Sequence, residues 1–230
     1  MEKIDLIESN VLTHREKERY RTLRTNIEFS GVENRVIAIT SCTPNDGKST
    51  ISYHLACMLA ESGKNTLLID ADMRKSVLLQ RFQVNREVTG LSHYLSGKLP
   101  TKDVVYETNI KNLYLMPSGV FPTNPTELLG NFRMEALITR LKKAFDYVII
   151  DTPPIGAVID AAVVAKHCDA SLMVIAYDAT SRVEARKMIA QLKSANPNFL
   201  GVVLNKVKVK ESNYYYKKYG SYYGKNDGYY

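Results

Sequence analysis

The stretch that decides the fold is RVIAITSCTPNDGKST, residues 35–50. Its first half is apolar and β-branched, which is typical of a parallel strand buried on both faces. Its second half contains Gly47-Lys48-Ser49, the residues that end a phosphate-binding loop, although Cys42 stands where the first glycine of such a loop is usual. A strand that turns into a helix at this point presents free backbone amides to a phosphate. The stretch therefore predicts a nucleotide site.

Within this loop the residue types suit a bound phosphate. Gly47 permits close approach of the backbone, and Asn45 tolerates a left-handed conformation. We expect Lys48 to reach the β- and γ-phosphates and the Ser49 hydroxyl to bind Mg²⁺. The candidate nucleotide-binding residues are Thr43, Asn45, Asp46, Gly47, Lys48, Ser49, Thr50 and, in the last apolar run, Asn205.

Five further apolar runs alternate with amphipathic segments along the chain. The runs are NTLLIDAD (65–72), LYLMPSG (113–119), YVIIDTPP (147–154), ASLMVIAYDA (170–179) and FLGVVLNKV (199–207). Helices are predicted at 50–62, 125–144 with a break near Gly130, 157–167 and 181–194, with Thr180 or Ser181 and Thr126 as candidate caps. This alternation predicts an α/β fold, with a doubly wound, mostly parallel sheet flanked by helices.

Two of the apolar runs end in carboxylates. Asp70 and Asp72 lie two residues apart and would project similarly if their strand persists, and Asp151 ends another run. Taken singly, each aspartate could be a helix cap or a turn former. Taken together with the loop, three acids at the ends of buried strands need a partner, and hydrated Mg²⁺ on a nucleotide is the natural one.

Composition narrows the class of protein. With 230 residues, 45% of them hydrophobic, the chain can bury one good core, and no apolar run is long enough to span a bilayer. The opening MEKIDLIESN is unlike a signal peptide, so we expect a cytoplasmic protein. The three cysteines and four histidines lack metal-ligand spacing and suggest neither a disulfide framework nor a zinc site.

The chain closes with NYYYKKYGSYYGKNDGYY, residues 213–230. This end has no aliphatic residue to enter a core, so we expect a disordered tail. Its tyrosine side chains would then have a role other than packing within the fold. We divide the chain into an N-terminal helical segment (1–30), a nucleotide-binding domain (31–207) and the tail (208–230). The tail tyrosines are Tyr214, Tyr215, Tyr216, Tyr219, Tyr222, Tyr223, Tyr229 and Tyr230.

Five segments together resemble the bacterial tyrosine kinases, cytoplasmic phosphate-loop kinases that govern capsular and extracellular polysaccharide synthesis. The segments are TPNDGKST, LLIDADMR, YVIIDTPP, the tyrosine cluster and EKERYRTLRTNIEF near the start. The first three are shared with other deviant phosphate-loop ATPases, and the combination is more specific. The likeness covers nearly the whole chain, but Asn45-Asp46 replaces the usual Gly-Glu.

This resemblance implies an ATP- and Mg²⁺-dependent protein-tyrosine kinase. It assigns Lys48 to phosphate binding, Ser49 and Asp151 to Mg²⁺, and Asp70 and Asp72 to the second acidic motif. In this assignment Asp70 is also a candidate metal ligand, while Lys48, Asp70 and Asp72 are the candidate catalytic residues, with Asp72 as base for the tyrosine hydroxyl. The tail tyrosines would be phosphorylated between subunits.

The resemblance also implies partners. Glu18, Arg21 and Arg24 match a Glu-x-x-Arg-x-x-Arg motif that packs one subunit against the next in a ring-like homo-oligomer. Their spacing predicts one helical face beside an apolar face of Tyr20, Leu23 and Ile27. The same pattern is also typical of a solvated helix whose charged residues form ion pairs with one another. A separate transmembrane activator, the polysaccharide co-polymerase, would recruit the kinase to the inner face of the membrane, and sugar-nucleotide enzymes would be substrates.

Two other functions fit part of the sequence. A partition or division-site ATPase of the same superfamily would carry a second lysine four residues before Gly47, where this chain has Thr43. A nucleic-acid-binding module could use the lysines and tyrosines of the tail for phosphates and bases, but no folded binding motif accompanies them. We therefore expect no nucleic-acid partner.

Overall fold

A computed structural model describes residues 2–7, 12–82, 84 and 87–207. Eight strands form one sheet: β1 (Lys3–Ile4), β2 (Val36–Ser41), β3 (Thr66–Asp70), β4 (Tyr106–Thr108), β5 (Leu113–Met116), β6 (Tyr147–Asp151), β7 (Ala170–Ala176) and β8 (Phe199–Asn205). Their order is β1-β4-β5-β3-β6-β2-β7-β8, and every pairing is parallel except that of β4 with β5. The predicted α/β class with a mostly parallel sheet is confirmed.

The helices lie on both faces of this sheet. They are α1 (His14–Phe29), α2 (Lys48–Glu61), α3 (Leu78–Arg81), α4 (Leu91–Leu95), α5 (Pro125–Leu129), α6 (Phe132–Ala144), α7 (Asp160–Ala165) and α8 (Arg182–Ala195), with a 3-10 turn at Thr101–Asp103. The predicted break near Gly130 separates α5 from α6. All six predicted strands are present. The strands β1 and β4 were not predicted, because two or three residues are too few to show a hydrophobic pattern.

One of the predicted helix caps is confirmed and one is wrong. The Ser181 hydroxyl accepts a hydrogen bond from the Glu184 amide at 3.2 Å, and the Glu184 carboxylate accepts one from the Ser181 amide at 3.3 Å, which completes a capping box. Thr126 does not cap α5, whose N-cap is Asn124. Its hydroxyl donates instead to the buried carboxylate of Asp160, 2.6 Å away.

The helix α1 packs on α2 through its apolar face. Ile27 is buried, and Tyr20 and Leu23 pack against the same hydrophobic cluster as the residues of α2, as the spacing predicted. The core on the other sheet face is formed with α4, α6 and α7. Within the described residues, no helix combines the length and the apolar composition that a membrane span requires.

The three charged residues predicted to form the subunit contact, Glu18, Arg21 and Arg24, do not share one face of α1. Arg21 and Glu18 form an exposed ion pair at 2.5 Å, whereas Arg24 turns toward α2 and donates to the carbonyl of Met58 at 3.3 Å. With 3.6 residues per turn, six positions rotate Arg24 well away from Glu18. The predicted subunit contact through these residues stays a prediction, and the tyrosine tail lies outside the described residues.

Candidate active site

The order of the strands brings the predicted loop and acids to one edge of the sheet. β6 lies between β2 and β3, and its last residue, Asp151, is in register with Ile39 of β2 and Asp70 of β3. Because parallel strands end on the same side, the phosphate loop after β2 lies beside both carboxylates. The fold itself therefore assembles the site.

A cavity of about 670 Å³ opens at this edge. This volume lies within the ordinary range for small-molecule sites. The predicted residues Asn45, Gly47, Lys48, Ser49, Thr50 and Asp72 line it, together with Pro44, Arg74, Lys75, Val77, Pro153, Pro154, Ala157, Val158 and Lys206. Of the other residues predicted for this site, Asp151 contacts Lys48, and Asp70 accepts a hydrogen bond from the amide of Asp72. Thr43 and Asn205 each donate a hydrogen bond to Asp46.

The phosphate loop has the left-handed backbone that was expected at Asn45, and Gly47 is left-handed as well. Asn45 is left-handed, with φ of 67°, and Gly47 is left-handed, with φ of 96°. A β-carbon at position 47 would lie 2.2 Å from Nδ2 of Asn205, so any other residue there would displace that side chain. Glycine is required at position 47 by both its conformation and its neighbour.

The loop is braced from inside and from the end of β8. The buried Asp46 carboxylate accepts hydrogen bonds from the amide and the hydroxyl of Thr43, both at 2.9 Å. Asn205 donates to the Asp46 carbonyl at 2.8 Å, and Lys206 donates to the Asn45 carbonyl at 2.6 Å. The side chains of Thr43, Asp46 and Asn205 thus shape the loop, and Lys206 was missed by sequence reasoning.

Cys42, which replaces the usual first glycine, points into the core. Its side chain is fully buried, with Sγ 3.5 Å from Sδ of Met173. Burial raises the pKa of the Cys42 thiol to about 11, so the thiol is neutral at physiological pH. Cys42 fills space beneath the loop and takes no part in charge balance at the site.

Lys48 is the centre of the charged groups. Its Nζ lies 3.1 Å from Oδ2 of Asp72, 3.5 Å from Oδ2 of Asp151 and 3.2 Å from Oγ of Ser49. Burial lowers the pKa of Lys48, but the charges of Asp151 and Asp72 more than offset that effect, so its pKa is raised. The ammonium group is held ionised against the two carboxylates.

Asp151 and Asp70 are both buried, and burial has the largest influence on the pKa of each. Burial raises the pKa of Asp151 despite the opposing charge of Lys48, and Oδ1 of Asp151 lies 3.1 Å from the hydroxyl of Ser52. Ser52 was missed by sequence reasoning, although it stands one helical turn after Lys48. Burial, followed by the charge of Asp151, raises the pKa of Asp70 to about 7, even though Ser76 donates a hydrogen bond to it.

Asp72 departs from the direction of Asp70 because β3 ends at Asp70. Oδ1 of Asp72 accepts from the amides of Arg74 and Lys75 at 3.3 and 3.0 Å, and Oδ2 contacts Lys48. The two carboxylates therefore have different partners, contrary to the expectation for a continuing strand. Asp72 is fixed at the cavity wall beside Lys48.

The raised pKa of Asp70 predicts how the stability of the nucleotide-free protein depends on pH. Between the ordinary value near 3.8 and about 7, only the folded protein holds the proton. Stability is therefore lost as the pH rises through this window, by roughly 2 kcal/mol between pH 5.5 and 8 for this group. We expect Asp70→Asn to be more stable than the wild type at pH 8.

Urea unfolding at pH 5.5 and pH 8, in a chelator and without nucleotide, measures this effect. The free energy of unfolding of Asp70→Asn should change less between the two pH values than that of the wild type. Equal changes in the two proteins would show that Asp70 is already ionised in the folded state at pH 5.5.

The fold and the site define a nucleotide-binding protein with a phosphate loop, and comparison with known proteins agrees. The sequence profile of the AAA domain family matches residues 34–200. Over 228 residues, covering 99% of this chain and 98% of the relative, the chain is 43% identical to tyrosine-protein kinase CpsD of Streptococcus agalactiae. The chain belongs to the AAA domain family and, within it, to the bacterial tyrosine-protein kinases.

Solved structures of known proteins support the same family. The kinase domain of Escherichia coli tyrosine kinase ETK superimposes with a TM-score of 0.77 at 33% identity, covering 85% of this chain and 79% of that one. The septum site-determining protein MinD of Pyrococcus horikoshii, solved with Mg-ADP, superimposes with a TM-score of 0.67 at 25% identity, covering 77% and 72%. The fold is thus one that binds adenine nucleotides, and the chain is a protein-tyrosine kinase.

Proposed function

We propose that this kinase uses ATP and Mg²⁺ to phosphorylate the tyrosine cluster at the end of a neighbouring copy of itself. The meeting of Asp72, Asp151 and Lys48 beside a cavity of nucleotide size supports this most directly. Phosphoryl transfer needs little covalent chemistry from the protein, so that positioning and neutralisation of charge are the main tasks of such a site.

Each side chain at the cavity has a role that suits its contacts. Lys48 would leave Asp72 and Asp151 for the β- and γ-phosphates of ATP, which carry more negative charge. Asp72, whose Oδ2 is thereby released, would accept the proton of the tyrosine hydroxyl. The braced backbone of the loop would hold the phosphates at the start of α2, where its amides and the helix dipole favour negative charge.

The donors at the site fit Mg²⁺. Ser49, Asp70 and Asp151 offer only oxygen atoms to a metal, and the raised pKa values of the two aspartates reflect their burial, which disfavours the charged carboxylates. A magnesium ion bound there would neutralise charge on the β- and γ-phosphates. Within the part of the chain that the structure describes, no group of three or more His, Cys, Asp or Glu could hold a metal by itself. An ion that arrives with the phosphates and keeps several waters needs fewer protein ligands.

The biological role we propose is regulation of capsular or extracellular polysaccharide synthesis and export. The sequence likeness supports this role. We also propose a ring-like assembly through Glu18, Arg21 and Arg24. A separate transmembrane activator would recruit the kinase to the inner face of the cell membrane. The exposed Glu18–Arg21 pair is available to a second copy. Each phosphate added to the basic tail would make it more negative and favour its release from an acidic site.

A mixing experiment tests transfer between copies. A Lys48→Met protein keeps its tail tyrosines but should not transfer phosphate, while a protein with all eight tail tyrosines changed to Phe should transfer phosphate but not accept it there. After incubation of the mixture with Mg-ATP, with an activator peptide if one is required, mass spectrometry should find phosphotyrosine in the tail of the Lys48→Met protein.

The controls for this experiment are each variant alone and the wild type alone. Phosphate on wild-type tails but not on Lys48→Met tails in the mixture would show transfer within one chain. Unphosphorylated wild-type tails in the presence of activator would contradict autophosphorylation of the cluster.

A further inference from the structure

Arg74, two residues after Asp72, is held by a buried carboxylate. Its Nε donates to Oδ2 of Asp160 at 2.7 Å, and its Nη2 donates to Oδ1 of Asp160 at 3.1 Å. Nη2 also contacts the Thr126 hydroxyl at 2.9 Å, and that hydroxyl donates to Asp160 at 2.6 Å. The guanidinium group is therefore fixed on one edge by two residues that come from α5 and α7.

Asp160 is a fully buried carboxylate, which is unusual for an aspartate. Its side chain has 0% exposure, whereas that of Arg74 has 39%. A buried carboxylate is costly unless it is paired and hydrogen-bonded, so Asp160 holds its arginine firmly in one place. The exposed part of Arg74 lines the same cavity as Lys48 and Asp72.

The remaining nitrogen of the guanidinium group is available to a ligand. Among the described residues, the hydrogen bonds of the Arg74 side chain use Nε and Nη2 only, which leaves both hydrogens of Nη1 for a ligand. A cation whose other edge is clamped loses little freedom when it binds an anion, because its position is already set. Such preorganised charge is the most effective kind in phosphoryl transfer.

We propose that Arg74 is a further catalytic residue, which donates from Nη1 to the γ-phosphoryl group during transfer, and that Asp160 and Thr126 are its positioning residues. In this step the bond from Pγ to the ADP oxygen breaks as the bond from Pγ to the tyrosine oxygen forms. The phenolic proton passes to Asp72, and ADP leaves. Arg74 neither gives nor takes a proton and stabilises the charge on the transferring group.

The experiment separates a catalytic arginine from a merely structural one. Arg74→Gln alone leaves Asp160 buried without its partner and should lower the melting temperature by roughly 6 °C or more. The double variant Arg74→Gln/Asp160→Asn replaces the ion pair by two amides and should melt near the wild-type temperature. If Arg74 acts on the phosphoryl group, kcat for autophosphorylation of this double variant should still be about 100-fold lower, with KM for ATP changed far less.

Two further variants keep the inference testable if the pair of amides packs poorly. Arg74→Lys retains a cation for Asp160 but lacks the second edge of the guanidinium group, so it should melt like the wild type with kcat at least about tenfold lower. Thr126→Val should lower kcat severalfold, whereas Thr126→Ser, which keeps the hydroxyl, should not. Wild-type kcat in Arg74→Lys or in a stable double variant would overturn the role of Arg74.

This inference rests on the proposed kinase mechanism, but the two fail in different ways. Absence of phosphotyrosine in the wild type would contradict the mechanism itself. An active wild type accompanied by equally active Arg74 variants would contradict only the role of Arg74.

Discussion

Replacing Lys48 by Met should lower the rate of tyrosine phosphorylation by at least about 1000-fold. Lys48 is the one described cation within 3.5 Å of both Asp72 and Asp151, and it is the group expected to move to the phosphates. Methionine keeps most of the length of the side chain and removes its charge. Incorporation of labelled phosphate from ATP, analysed as phosphotyrosine, measures the loss.

The matched control for this change is Lys64→Met. Lys64 is exposed, just beyond the far end of α2, so its replacement removes the same charge without touching the cavity. It should retain the wild-type rate. A Lys48→Met protein with more than a tenth of that rate would mean that another group binds the phosphates.

Replacing Asp151 by Asn should have opposite effects on activity and on stability. Phosphorylation should fall by about 1000-fold, because the Mg²⁺ proposed at this site would contribute several kcal/mol to charge neutralisation and Asn would bind it less well. The nucleotide-free protein should become more stable at pH 8. The raised pKa of Asp151 means that its ionised form is disfavoured in the fold, so a neutral residue removes a cost that grows as the pH rises.

Kinetics at increasing Mg²⁺ concentration and urea unfolding at pH 8 measure the two effects. Asp103→Asn, at an exposed position in the 3-10 turn, should change neither. Normal activity of Asp151→Asn at ordinary Mg²⁺ concentration would remove Asp151 from the metal site. A loss of stability would instead show that its contacts with Lys48 and Ser52 outweigh its burial.

The features that could be predicted from the sequence are those encoded within one continuous segment. Each long strand is one continuous apolar run. The phosphate loop is one segment, whose asparagine predicts a left-handed residue and whose glycine predicts close approach of the backbone. The convergence of Asp70 and Asp151 was also predictable, because parallel strands end at a common edge. Here the register places the two residues side by side.

What could not be predicted depends on contacts between distant segments. Arg74 and Asp160 are separated by 86 positions, and neither stands in a pattern that indicates the other. Thr126 was assigned to a helix cap because a hydroxyl before Glu127 fits that pattern, whereas in the fold this hydroxyl donates to the buried carboxylate of Asp160. Lys206 was missed for the same reason, since its partner Asn45 lies 161 positions away.

The bracing of the phosphate loop by Asn205 and Lys206 limits where the protein can be shortened. A truncation that ends at Leu204 would remove both donors along with the tail, and ATP affinity would suffer for reasons unrelated to tyrosine. Dissection of the tail by deletion must therefore keep the chain through Val207.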